Sequence, residues 1–352
     1  MNIKKWIKTY FSIVSIIIFI SIFNYIVDPY QQYRITNFYP LPYEKERELD
    51  AGMAKNFQFD SVVLGTSMMQ NFSLKHLQKE LDFTKPIKLT LAGSSIYEQS
   101  VILKTAIKHQ KIKNVLIGID FFSYYGDIKR LKHGENNFPF YLYDDNFLND
   151  YKYLSSFDTL KRSIKLLSKE KSKTKNNPLY NYYNMYEWHG KHEEKDTLNK
   201  IKDKWLNRDK FDNEAKHLEK KFIYLKNNFD YNLKPLLKEN KNINFIIIFP
   251  PYSILAYKVY QQRGELEDFL KFKQYIIVNL SKFKNVEVYD FGYDNSISYN
   301  LHNYYDLYHY NKKISNWMIS QIKLKKYLTK KEKEIKSNIF LKDVEEYIFP
   351  LK

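Results

Sequence analysis

Cysteine is absent from all 352 residues, which excludes a disulfide framework, a thiol nucleophile and a thiolate metal site. No internal repeat is visible, and no nucleic-acid module signature. Lysine runs such as Lys169 to Lys175 alternate with Glu and Ser rather than with Gly or planar Arg side chains, so nucleic acid is not an expected partner. His189 and His192 with Glu193 and Glu194 carry ligand-type side chains, but their spacing fits no dedicated metal motif; no metal or organic cofactor is expected. A small-x-small cleavage site is also missing after the first apolar stretch, where Asp28, Pro29 and Tyr30 follow instead.

What is present begins with charge. The formal net charge of +17 suits a polyanionic partner such as anionic lipid headgroups or an acidic glycan, without choosing between them. Tyr (32) and Phe (25) are abundant, but so are Ile, Lys and Asn, which reads as compositional drift more simply than as a stacking surface. At the N-terminus, Lys4, Lys5 and Lys8 precede an apolar stretch from Phe11 to Val27 broken only by Ser12, Ser15, Ser21 and Asn24. With Trp6 and Tyr10 it reaches spanning length. Its flanks predict a retained signal anchor, lysines inside and the remaining chain extracytoplasmic, in a single-pass arrangement.

Residues 28–57, rich in Pro, Tyr and charge, read as a connector. Short β-rich runs then alternate with helical patterns. The runs are 61–64, 87–91, 115–119, 245–249 and 286–289; the helical candidates cover about 73–81, 97–110, 212–239, 265–283 and 311–325. Most runs are almost continuously apolar, as parallel strands covered on both faces should be. The expected fold is α/β, a flavodoxin-like doubly wound parallel sheet over 58–328, with an inserted, mainly helical or irregular segment at about 125–210 and a charged tail at 329–352. Within the insertion, Leu154, Leu160, Ile164 and Leu167 show helical spacing.

Two segments carry chemistry. Leu64-Gly65-Thr66-Ser67 follows the first core strand, at the sheet edge where ligands gather, and Gly65 permits a tight turn whose amides can face a developing oxyanion. Asp306-Leu307-Tyr308-His309 follows the last strand. A hydroxyl needs a base to act as a nucleophile at neutral pH, and an Asp three residues before a His lets one loop deliver base and orienter together. Capping of the last helix by Asp306 is the plainer alternative. Ser94 and Ser95 read as caps of the following helix, His302 as a solvated loop residue, and Tyr252 and Ser253 as rim residues at the end of the fourth strand.

Serine after the first strand, Gly93 in Leu91-Ala92-Gly93-Ser94-Ser95 after the second, and Asp-x-x-His after the fifth together resemble the SGNH (GDSL-like) hydrolase superfamily. The resemblance covers 60–125 and 243–325 and is nearest to membrane-anchored bacterial members, which include teichoic-acid D-alanylation and alginate O-acetylation proteins. It implies Ser67 as nucleophile, His309 as base, Asp306 as its partner and Gly93 as a backbone oxyanion donor. The third block normally offers an Asn side chain, where this chain has Asp120, and an ionised carboxylate donates nothing. Asp120 is then structural, or Asn71 supplies the donor, or the hole has two amides. The implied function is a serine esterase or O-acyltransferase acting on a cell-surface glycan or glycolipid, with a membrane-bound O-acyltransferase as a possible partner. The alternative is a non-catalytic or weakly active accessory protein that binds an anionic wall polymer or a membrane acyltransferase partner.

Overall fold

The computed structural model describes residues 3–36, 39, 45–134, 137–168, 194–208, 217–329 and 334–348. Five strands form one all-parallel sheet: β1 (Ser61–Gly65), β2 (Pro86–Thr90), β3 (Asn114–Gly118), β4 (Asn244–Phe249) and β5 (Val286–Asp290), in spatial order β2-β1-β3-β4-β5. One apolar line crosses the sheet, since Leu89 pairs with Leu64, Leu64 with Ile117, Ile117 with Ile247 and Ile247 with Val288. Every residue of β1, β2 and β3 is buried, which explains why their sequences do not alternate. Helices cover both faces.

The chain opens with α1 (Ile3–Val27), followed by α2 (Glu46–Asn56), α3 (Leu74–Glu80) and α4 (Ile96–His109). The insertion holds α5 (Phe157–Ser168) and α6 (Glu194–Leu206). Then come α7 (Phe222–Asn228), which runs through a π-turn at Phe229–Leu233 into α8 (Lys234–Glu239), and α9 (Ile254–Gln262), α10 (Leu266–Leu280), α11 (Lys312–Lys323) and α12 (Glu334–Glu346). On one side α3 packs against α11; on the other α4 packs against α2 and the π-turn, and α7 against α10. Among the described residues one helix, α1, is long and apolar enough to cross a membrane. Two of its polar interruptions are satisfied within the helix: Ser12 and Ser21 donate to the carbonyls of Lys8 and Ile17 at 2.9 Å.

Two sequence expectations change here. The segment read as a connector contains α2, whose Leu49, Ala51, Met53 and Ala54 are fully buried against the sheet domain. Its charged outer positions hid that face. No helix is expected between the fourth strand and residue 265, yet α9 starts at Ile254, with Ser253 capping it by accepting from the Ala256 N–H at 3.2 Å. The His189, His192, Glu193 and Glu194 group lies outside the described side chains.

Candidate active site

The turn after β1 delivers Ser67. Gly65 has φ +148, and a Cβ there would stand 2.5 Å from Met69 Cγ, so the turn requires glycine. Thr66 caps the following short helical turn with its Oγ1, which accepts from the Met68 N–H and donates to Asp120 Oδ2 at 2.9 Å. Ser67 Oγ is thereby presented at the carboxyl edge of the sheet. It lies 2.8 Å from His309 Nε2.

The loop before α11 delivers Asp306 and His309. Asp306 Oδ1 accepts from the backbone N–H groups of Tyr308 and His309, both at 2.8 Å, which folds the four residues into one tight turn. His309 Nδ1 then meets both carboxylate oxygens, at 3.0 and 2.9 Å. In the neutral imidazole this arrangement puts the proton on Nδ1 and leaves the Nε2 lone pair facing Ser67. Asn311 caps α11 by accepting from the Ile314 N–H, so the capping role is filled by another residue and Asp306 is committed to His309. Two cross-braces fix the loop: the Tyr310 hydroxyl donates to the Met68 carbonyl beside Ser67, and Ser253 Oγ donates to the Leu307 carbonyl.

Electrostatics favour the charged pair. Burial alone raises the Asp306 pKa, but His309, its hydrogen bonds and Lys204 hold the carboxyl well below the usual carboxylate range. Burial lowers the His309 pKa, and the adjoining Asp306 charge outweighs it and raises the imidazole above its ordinary value. Lys204, from α6, reaches Asp306 Oδ2 at 3.0 Å. No local sequence signal marks it, because it comes from the insertion.

Ser67, His309, Asp306, Gly93, Asp120 and Tyr252 all line one cavity of about 300 Å³, a size at the small end of ligand sites. Asn71, by contrast, is buried and is not part of the cavity wall. Gly93 has φ +61, and a Cβ there would meet Lys132 Nζ at 2.6 Å. Among the described residues no hydrogen bond engages the N–H of Ser67 or of Gly93, and both residues line the cavity. Asp120 accepts from the Tyr252 hydroxyl at 2.5 Å, from Thr66 and from the Phe122 N–H, so its carboxylate braces the β1 and β4 exits against each other. These contacts fit a structural role for Asp120.

The remaining serines and histidine are accounted for. Ser95 forms a reciprocal capping box with Glu98 at the start of α4, and Ser94 Oγ accepts from Gln99. His302 lies in a short helical turn outside the cavity wall. Glu46 is a residue the sequence did not mark: from α2 its carboxylate accepts from Gln70 Nε2 at 2.7 Å and from the Ala92 N–H at 2.6 Å, tying the serine turn to the glycine turn. Chemically, the assembly offers a hydroxyl, a base in contact with it, an oriented carboxylate and two unengaged amides, which is the equipment of acyl transfer.

No family model matches this chain, and no curated protein matches it either.

Proposed function

We propose that this chain is a membrane-anchored, extracytoplasmic serine esterase or O-acyltransferase of SGNH type, acting on a cell-surface glycan or glycolipid. The observation that carries the reading is the continuous relay from Ser67 Oγ through both ring nitrogens of His309 to Asp306. The strand order β2-β1-β3-β4-β5 supports it, being the flavodoxin-like doubly wound order, whose chain reversal between β1 and β3 is where such sheets bind ligands. Ser67 leaves β1 and Asp120 leaves β3 at that reversal. The lysines in the first turns of α1, Lys4, Lys5 and Lys8, favour an extracytoplasmic domain.

In this reaction Ser67 Oγ attacks the acyl carbonyl while its proton passes to His309 Nε2. The Ser67 and Gly93 amides face the oxyanion. Collapse expels the donor's alcohol, which takes the proton from His309 and leaves an acyl-serine. A sugar hydroxyl or water, deprotonated by the same imidazole, then attacks that ester and frees Ser67.

A second reading, a weakly active accessory protein that binds an anionic wall polymer, is favoured by Asp120 standing where a side-chain donor is normal, since one missing donor costs about a hundred- to a thousandfold in rate. The Ser67→Ala variant separates the two. Hydrolysis of a small aryl ester and acylation of the surface glycan are expected to fall to background, by up to about 10⁶-fold. Unchanged rates in that variant favour the accessory role.

A further inference from the structure

The insertion contains an amphipathic helix whose faces are divided three ways. Along α5, Thr159, Arg162, Ser163 and Leu166 are buried. Phe157, Leu160, Ile164 and Leu167 form a second stripe at i, i+3, i+7 and i+10, and Phe157, Ile164 and Leu167 are 64%, 54% and 45% exposed. Asp158, Lys161 and Lys165 occupy the third face, next to the apolar stripe, with Asp158 and Lys161 3.8 Å apart as an ion pair. Such a helix ordinarily turns its apolar stripe to a core. Here another face is used for packing.

What α5 packs against is the end of α1. Leu166 clusters with Val27 and Phe23, and Ser163 Oγ donates to Asn24 Oδ1 at 3.1 Å. Asn24 Nδ2 in turn donates to the carbonyls of Leu154 and Ser156. The polar residue that interrupts the apolar run is thus the joint between the two helices. A hydrocarbon core of about 30 Å takes about 20 helical residues, so with Lys8 at one boundary the other falls near Val27. Phe23 and Asn24 then lie within about 6 Å of that boundary, on the hydrocarbon side.

We propose that α5 is a second membrane contact, a helix lying in the bilayer interface with Phe157, Leu160, Ile164 and Leu167 among the acyl chains and Lys161 and Lys165 among anionic headgroups. Two observations commit this face to lipid. The helix that carries it packs on the end of a helix of spanning length, and its depth, fixed by the Asn24 joint, is the headgroup–acyl boundary at which interfacial helices reside. Phe147, Leu148 and Tyr151, just ahead of α5 in the chain, are also exposed. The consequence is a catalytic domain held at a fixed attitude on the membrane rather than swinging from one helix. The inference rests on reading α1 as a membrane span.

Its test uses the absence of cysteine. Full-length Ile164→Cys, Leu167→Cys, Phe19→Cys and Lys282→Cys variants are labelled with an environment-sensitive fluorophore and reconstituted in vesicles containing phosphatidylglycerol. Lipids carry a spin label either high or low on the acyl chain. All four positions are exposed on the protein, so the variants leave the core intact, and Lys282 precedes β5, at the sheet edge opposite β2 and α2. The expected result is a blue-shifted signal at 164 and 167 quenched by the shallow spin label, deep quenching at 19 and none at 282. Quenching at 19 with none at 164 and 167 overturns the interfacial contact and leaves the anchor standing. A blue shift at 164 and 167 without quenching overturns it in favour of a covering protein. Loss of quenching at 19 removes the span itself, and the inference with it.

Discussion

His309 accepts a proton from Ser67 only as a neutral imidazole, and Asp306 raises the pH at which that form prevails. On an aryl ester, kcat/KM should therefore rise with pH through a value above the ordinary histidine pKa of about 6.5. Stability runs the other way. The raised His309 pKa contributes stability that is complete below the unfolded value and lost as pH climbs through the folded one; the depressed Asp306 pKa contributes stability present above about pH 3.8 and lost as pH falls towards the folded value. Lys204 pulls the His309 pKa down. In Lys204→Met the acid limb is expected to move to higher pH, with less activity at pH 7, and a pH–rate profile checks this; an unmoved limb contradicts the contact. Asp306→Asn removes the raising charge and the correct tautomer together. A loss of about 10³- to 10⁴-fold in kcat is expected, measured with the same ester.

Between elements, two polar joints hold the site's platform in place. Asp120 accepts from Thr66 after β1 and from Tyr252 after β4, and Asp120→Ala leaves both hydroxyls without that acceptor. A loss of about 1–3 kcal/mol by urea unfolding is expected. Lys273 of α10 and Asp290 at the end of β5 form an ion pair at 3.1 Å with side chains 2% and 0% exposed. Lys273→Met strands a buried carboxylate and should cost about 3–5 kcal/mol. At this scale the sequence was legible where burial is complete: the five strands lie within a residue of their apolar runs. It was less legible where charge masks a buried face, as in α2, or where Pro250-Pro251 reads as a stop although Ser253 starts a helix. Ser67, Gly93, Asp306 and His309 were readable because each closes a strand–loop–helix unit. Lys204 and Glu46 were not, because each reaches the site from elsewhere in the chain, and Asp120 showed its residue type without its contacts.

For the whole molecule, the central question is whether the relay works as an enzyme on the outer side of a membrane. Sidedness is open to a direct check, since Lys282→Cys should react with a membrane-impermeant maleimide in intact cells; protection until the cells are permeabilised contradicts an extracytoplasmic domain. The relay itself depends on several parts acting at once: the β1 turn, the loop before α11, and the braces from Tyr310 and Ser253 that hold them together. A serine brought to reactivity by that arrangement should stand apart from the other serines of the chain. The most direct measurement is reaction of the full-length, membrane-embedded protein with a fluorophosphonate probe, followed by peptide mapping. The expected result is a single covalent adduct on Ser67, absent in Ser67→Ala and greatly slowed in His309→Gln; no adduct, or labelling that persists in Ser67→Ala, contradicts the account.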